Sequence, residues 1–457
     1  MTADLYLKNG LIVTEESEFN GGIVVSGGKI QQLVAGEVDI AADEIIDVAG
    51  KVVLPGIVDA HVHLNEPGRT HWEGYRTGTM AAAVGGITTV IEMPLNAAPP
   101  TIDKAKLALK RDAVKGEAVV DHAQWGGLVD NNLTDLADLH AGGVVGFKAF
   151  MTYVEEEFRR VDDDLIFAGM QQAKALGNLV GIHCENQYVT QFLSKKLQAE
   201  GRTDLAAWPE ARPPHTELEA IQRAIYWAKV TGAQLHVVHV TIPEGIQAVV
   251  QAKADGINVT AETCPQYLLF DVDDYLRIGP TAKCAPPIRT RETVEAMWEL
   301  VLAEKIDLIA SDHSPCPSED KAADNIWEVW GGISGLQTML AGIVTEGVHK
   351  RGMTWSQIAK LMAANPARIF GLYPQKGALL PDSDADLTII DPDKVWTLTQ
   401  DQLFYRNKHS PFIDYTYTGS VTQTILRGKT VFHDGNIMVE PGFGQVLQRQ
   451  HKSEAVI

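Results

Sequence analysis

The sequence contains few cysteines, only four in 457 residues, and they lie far apart with no Cys-x-x-Cys pair. This usage fits reduced thiols in a cytosolic protein rather than a disulfide framework. The first residues lack the basic and apolar segments of a signal peptide, and no stretch reaches the ~18 uninterrupted apolar residues that a membrane span needs. We therefore expect a cytoplasmic protein that has no membrane partner.

Positive charge is also scarce, since 39 Lys and Arg stand against 59 Asp and Glu, for a net charge of −20. Nucleic acids and anionic membranes would be repelled, so we expect no nucleic-acid partner. No glycine-rich fingerprint opens a predicted helix, so a dinucleotide or P-loop site is not supported. The length exceeds what one ordinary core accommodates, which predicts one large domain and one smaller domain.

The two ends of the chain share one texture. Residues 4–53 alternate short β-rich runs with turn dipeptides, the pattern of a small antiparallel sheet, and the same texture returns at 386–391 and 422–432. Both ends are therefore predicted to build one small composite β-sandwich, from residues 1–53 and 375–457. Residues 54–374 are predicted to form the larger domain between them.

Strand-like and helical runs alternate through this central part. The predicted strands are 56–63, 87–93, 119–128, 144–150, 179–185, 234–240, 257–263 and 307–312. The predicted helices include 102–115, 164–176, 217–230, 244–254 and 290–303, with 201–214 as a loop. Eight such units predict an α/β fold of the (β/α)8 TIM-barrel type, and a doubly wound open sheet is the alternative.

Metal-ligand residue types stand at the ends of five of these strands. His61 and His63 close the apolar run 52–58, taken as one buried strand, and share a face at about the separation that one transition metal requires. Four further predicted strands end at Lys148, His183, His239 and Asp312. TIM barrels place their chemistry on this rim. By strand alternation, His236 and His313 are predicted to face away from the site.

These motifs together resemble the cyclic amidohydrolases of the amidohydrolase superfamily. The resemblance runs through nearly the whole chain and rests on residues 59–68, 71–75, 85–96, 146–148, 283–289, 311–315 and 331–337. It implies a (β/α)8 barrel with a composite β-sandwich and a binuclear metal site. It also implies that CO2 carbamylates Lys148, giving N6-carboxylysine, which bridges the two metals and offsets part of their charge.

The resemblance further implies two ligand sets and a mechanism. His61, His63, Lys148 and Asp312 would hold one divalent ion, and Lys148, His183 and His239 the other. Zinc is expected, although manganese, cobalt or iron could substitute. A metal-bridging hydroxide would attack the ring carbonyl, with Asp312 as the proton shuttle and without a covalent intermediate. A homotetramer is also implied.

Within the superfamily the chain is most similar to the allantoinase family, which implies hydrolysis of allantoin to allantoate in purine degradation. Dihydroorotases typically carry Arg where this chain has Asn65, and hydantoinases usually lack segments 66–68 and 71–74. Tyr153, however, matches a hydantoinase tyrosine, so a hydantoinase or dihydropyrimidinase is the alternative. A dihydroorotase or a metal-free binding homologue comes after these. Asn65, Tyr153, Cys284 and Ser314 are the expected substrate contacts.

Overall fold

The computed structural model describes residues 3–450, which form a parallel barrel and a separate β domain. In chain order the strands are β1 (Ala3–Val13), β2 (Glu18–Ser26), β3 (Lys29–Ala35), β4 (Ala42–Asp47), β5 (Val52–Pro55), β6 (Ile57–Val62), β7 (Ile87–Glu92), β8 (Asp121–Gln124), β9 (Gly126–Gly127), β10 (Phe147–Phe150), β11 (Leu179–His183), β12 (Gln234–Val237), β13 (Val259–Thr263), β14 (Leu308–Ile309), β15 (Leu387–Thr397), β16 (Thr416–Leu426), β17 (Lys429–His433) and β18 (Asn436–Ile437).

The β domain is one sheet built from both ends of the chain. Its strand order is β18-β17-β16-β15-β5-β1-β2-β3, with β4 beside β1. Strand β5 joins the two halves because it pairs with β1 on one side and with β15 on the other. The predicted composite domain is therefore confirmed. The amino-terminal part is not purely antiparallel, however, since β4 and β5 both run parallel to β1.

The barrel consists of parallel strands β6, β7, β8, β10, β11, β12, β13 and β14, with the short β9 continuing the line of β8. It closes where Val62, at the end of β6, bridges to His313, just beyond β14. Parallel strands buried on both faces usually read as near-continuous apolar runs, but β8, with the sequence Asp-His-Ala-Gln, is buried without being apolar. The predicted TIM barrel is confirmed, and the doubly wound alternative is wrong.

Helices alternate with the barrel strands. They are α1 (Tyr75–Val84), α2 (Lys104–Ala113), α3 (Leu136–Ala141), α4 (Asp163–Ala175), α5 (Gln187–Ala199), α6 (Ala207–Ala211), α7 (Pro214–Thr231), α8 (Pro243–Ala254), α9 (Gln266–Leu269), α10 (Val272–Ile278), α11 (Arg291–Leu302), α12 (Met339–Ile343), α13 (Trp355–Ala359) and α14 (Asn365–Ile369). The segment 201–214 is not a plain loop, because α6 forms there and buries Ala207 and Ala211. Among residues 3–450, no helix is long and apolar enough to cross a membrane.

The apolar run 52–58 is not one strand, as predicted, but two strands in different sheets. It breaks at Gly56, where a β-carbon would lie 2.2 Å from Oγ1 of Thr88. Only glycine permits this close approach, so the chain can leave β5 in the β domain and enter the barrel as β6. The domain limits set at 53/54 and 374/375 stay predictions.

A buried ion cluster joins the two domains. The ammonium of Lys376 lies 2.8 Å from Asp384 and 2.9 Å from Asp386, which precede β15 of the β domain. The same ammonium pairs with Asp121 on barrel strand β8. All four side chains are almost wholly buried. The cluster fixes the orientation of the β domain against the barrel, because three carboxylates converge on one cation.

Candidate active site

Three of the predicted ligands converge at the carboxyl end of the first and last barrel strands. His61 lies within β6, and His63 follows its last residue. Their Nε2 atoms stand 3.2 Å and 3.6 Å from Oδ1 of Asp312. One donor atom from each residue fits within a span of 4.8 Å, which suits a single metal ion.

The other predicted ligands stand beside this group. His183 is the last residue of β11, and its Nδ1 lies 2.9 Å from Nε2 of His239. Two nitrogens on one tetrahedral zinc lie roughly 3.3 Å apart, so these rings need only a small adjustment to share an ion. The rings of His61 and His239 lie 5.4 Å apart, which brings the two groups together.

Lys148 is fully buried in β10, and its Nζ has no hydrogen-bond partner among residues 3–450. Burial lowers the pKa of Lys148 to about 8, although the carboxylates of Glu262 and Asp312 partly oppose the shift. A buried amine without a partner is costly unless another group satisfies it. Such an amine is neutral in roughly a tenth of molecules at pH 7, far more than an ordinary lysine, and this suits carbamylation and metal ligation.

Burial favours the neutral form of His63, His183 and His239, which is the form that binds a metal. It lowers the pKa of His63 to about 4 and that of His239 well below the usual value. Burial alone would raise the pKa of Asp312, but His61 and His63 hold that carboxyl below its ordinary pKa. The site therefore presents the neutral imidazoles of His63, His183 and His239 beside a carboxylate.

Two ligand residues owe their position to an unusual backbone. His239 lies two residues past the end of β12 with φ 40°, and Asp312 lies three residues past β14 with φ 47°. Strand alternation, used above to choose His239 over His236, therefore does not apply, because the left-handed backbone turns each side chain inward. His236 is a buried wall residue, and its Nδ1 lies 2.8 Å from Oγ1 of Thr260.

A layer of carboxylates that the sequence analysis missed surrounds the ligands. Glu262, in β13, pairs with Nδ1 of His61 and lies 3.0 Å from Nε2 of His236. Glu185 lies 2.7 Å from Nε2 of His183 and accepts a hydrogen bond from Arg212. Burial raises the pKa of Glu185, but Arg212 and His183 outweigh it and hold the value at about 2. The sequence did contain one signal for Glu262, namely a glutamate inside a predicted strand that is rich in β-branched residues.

A cavity of about 570 Å³ opens over these residues. Of the four predicted substrate contacts, Tyr153 and Ser314 line it. Tyr153 lies on an exposed loop, where its backbone N–H donates to Gln187. Four tryptophans form much of the outer wall: Trp72, Trp208, Trp327 and Trp330.

The other two predicted contacts, Asn65 and Cys284, are not among the residues that line the cavity, and their contact with the substrate stays a prediction. Asn65 is fully buried, and its amide donates to the carbonyl of Pro315. The Cys284 thiol is buried, which raises its pKa to about 12, while its carbonyl accepts from Trp208. Asn96, which was missed, does line the cavity and donates to Oγ of Ser314.

Together these features define the class of (β/α)8 enzymes that carry a metal-type site on the carboxyl rim. Residues 52–431 match the model of the amidohydrolase family, and the chain belongs to that family. It is 46% identical over 448 residues to an allantoinase of Escherichia coli (strain K12), with 97% of each chain covered.

Solved structures give the same relationship. An L-hydantoinase (dihydropyrimidinase) from Arthrobacter aurescens matches with a TM-score of 0.96 at 37% identity, over 98% of this chain and 100% of that one. A D-hydantoinase (dihydropyrimidinase) from Thermus sp. matches with a TM-score of 0.91 at 28% identity, over 97% and 99%.

Proposed function

We propose that this chain hydrolyses the ring amide of allantoin to allantoate, a step of purine nitrogen degradation. The observation that carries the proposal is the convergence of four imidazoles, one carboxylate and the amine of Lys148, which has no hydrogen-bond partner among residues 3–450, beneath a cavity of about 570 Å³. The 46% identity to an allantoinase supports this substrate. We also propose a cytoplasmic homotetramer, on the resemblance alone.

The residues present fit two divalent metal ions. His61, His63, Lys148 and Asp312 would hold one ion, and Lys148, His183 and His239 the other. When bound, the ions would supply Lewis acidity and make water nucleophilic at neutral pH. Zinc suits this mixed imidazole and carboxylate set, and manganese, cobalt or iron could take its place.

Lys148 would act as a carbamate. Its neutral amine would attack the carbon of CO2 and lose one proton, forming N6-carboxylysine with two oxygens. The pKa of about 8 leaves a useful fraction of neutral amine at physiological pH. A carbamate would also give the buried side chain a negative charge and two oxygen ligand atoms, whereas an ammonium is positive and has no lone pair to offer a metal.

Asp312 would move the proton. Its carboxylate lies beside His61 and His63, both of which hold its pKa down, so it is ionised and ready to accept. It would take a proton from the attacking water and give it to the departing ring nitrogen. The thiols of Cys264 and Cys284 are buried with raised pKa values, so neither supplies a thiolate nucleophile.

Polar groups of the cavity wall would orient the substrate. Oδ1 of Asn96 has no hydrogen-bond partner among residues 3–450, while its amide nitrogen holds Ser314. The ureido arm of allantoin offers N–H donors to such an acceptor. A site built for these bonds should reject a ring without the arm, because the acceptor would then stay unpaired.

The test compares kcat/KM for allantoin, hydantoin, 5-substituted hydantoins, dihydrouracil and dihydroorotate on one metal-loaded preparation. We expect allantoin to lead by at least about tenfold and dihydroorotate to react poorly. Chelator-treated protein is the control and should be inactive with every ring. If hydantoin or dihydrouracil leads by about tenfold instead, the chain is a hydantoinase or dihydropyrimidinase, which the Arthrobacter structure and Tyr153 would favour.

A further inference from the structure

Each proposed metal set contains one histidine whose second ring nitrogen meets a buried carboxylate. Nδ1 of His61 pairs with Glu262, and Nε2 of His183 lies 2.7 Å from Glu185. By contrast, Nδ1 of His63 and Nδ1 of His239 have no partner among residues 3–450. The two carboxylates are thus distributed one to each set.

A carboxylate can only accept a hydrogen bond, so the ring nitrogen facing it carries the proton. Glu262 is the closer of the two carboxylates that face His61, so the lone pair of His61 stays on Nε2, which lies 3.2 Å from the proposed ligand Asp312. Likewise, the lone pair of His183 stays on Nδ1, which lies 2.9 Å from His239. His61 is therefore protonated on Nδ1 and His183 on Nε2. In both residues the nitrogen with the free lone pair faces another ligand of the same proposed metal set.

The carboxylates are themselves anchored. Glu262 accepts from the backbone N–H of His239 and meets Nε2 of His236, whose other nitrogen meets Thr260. Glu185 is anchored by the guanidinium of Arg212, which packs 4.3 Å from the ring of Trp208. Both glutamates are fully buried, so water does not replace these bonds.

We propose that Glu262 and Glu185 are positioning residues, each of which fixes the tautomer of one ligand histidine and governs the affinity of one metal ion. Glu262 acts on the ion of His61 and His63, and Glu185 on the ion of His183 and His239. The inference rests on the metal sets of the proposed function. It adds that the two ions can be weakened separately by changes that remove no ligand.

The experiment uses full-length Glu262→Gln and Glu185→Gln, which keep the side-chain shape and remove the charge. Zinc affinity is measured by competition with a chelator, and the occupancy of each site by anomalous X-ray diffraction. Glu217→Gln is the matched control, because Glu217 is equally buried and paired with Arg289 but touches none of the ligands. Thermal unfolding of each zinc-free protein separates loss of metal from loss of fold.

We expect Glu262→Gln to weaken the zinc of His61 and His63 by about 10- to 100-fold and to weaken the other zinc less, because the contact of Glu262 with that set is only to the backbone N–H of His239. Glu185→Gln should do the reverse, and Glu217→Gln should weaken neither. Equal weakening of both ions, no weakening, or the same effect in the control would overturn the inference. Because occupancy is read without substrate, failure on allantoin is a separate result, whereas wild-type protein that binds no zinc would overturn both proposals.

Discussion

Replacing Lys148 by alanine removes three methylene groups and the amine from a position with no solvent exposure. The change deletes the only group proposed to serve both metal sets, so we expect zinc content and turnover on allantoin to fall together, by more than ~10². The empty slot lies below the cavity and is sealed by the barrel. It should therefore accept a small carboxylic acid in place of the lost carbamate.

The slot predicts how rescue depends on the length of the acid. If the carboxyl group of the acid takes the place of the carbamate, the rest of the acid lies in the space of the removed lysine atoms. Formate, acetate, propionate and butyrate all fit there, because each is shorter than the side chain removed. Burying each added carbon contributes about 0.8 kcal/mol to the binding free energy. The concentration of acid that gives half of the maximal rescue should therefore fall roughly fourfold per carbon. From formate to butyrate the half-saturating concentration should therefore fall about 60-fold.

The assay is kcat on allantoin against acid concentration, with zinc measured in the same samples. Propanol and the branched pivalate are matched controls, since one lacks the carboxylate and the other is too wide, and neither should restore activity. Full activity of Lys148→Ala without any acid would refute the carbamate reasoning. Rescue by propanol, or rescue without dependence on chain length, would refute the bridging slot.

Three further predictions follow from the site and the fold. Asp312→Asn should lower kcat by at least ~10² while the zinc of His183 and His239 remains, and near-normal turnover would place the proton transfer elsewhere. The rate of CO2 uptake by zinc-free protein can be measured by mass spectrometry at a constant concentration of dissolved CO2. It should fall about tenfold per pH unit below pH 8, because the Lys148 amine becomes protonated there, and a rate that does not change with pH would contradict this. Lys376→Met should lose about 3–5 kcal/mol of unfolding free energy in urea, against less than about 1 kcal/mol for the exposed Lys350→Met.

The sequence predicted the barrel and its rim because those features are local. Several barrel strands are short, largely apolar runs, such as β6 and β11, and the residue type that ends each can be recognised without knowing its neighbours. His61 and His183 needed nothing more, since both lie on strands and point where alternation directs them. The break at Gly56 was missed because its cause, the close approach of Thr88, is distant in the sequence.

The substrate contacts were less predictable for the same reason. Cys284 stands in a motif segment, but the packing of Tyr267 and Trp208 around it decides that its thiol and carbonyl are occupied. Asn65 likewise follows the histidine motif and yet turns toward Pro315, with φ 64°. Asn96 reaches the cavity from the loop after β7, and a local pattern could not have aimed it there.

The left-handed backbone at His239 and Asp312 explains why buried acids recur around this site. A non-glycine residue held there costs about 1–3 kcal/mol, so other bonds must enforce it. The N–H of His239 donates to Glu262, and Asp59 accepts from the N–H of Ser311, next to Asp312. Asp59 also accepts from the N–H of His61, so the first residue of the Asp-x-His-x-His motif ties the first barrel strand to the last. Glu262 and Asp59, which bind no metal in the proposed sets, thus hold the backbone at or next to the ligand residues in place.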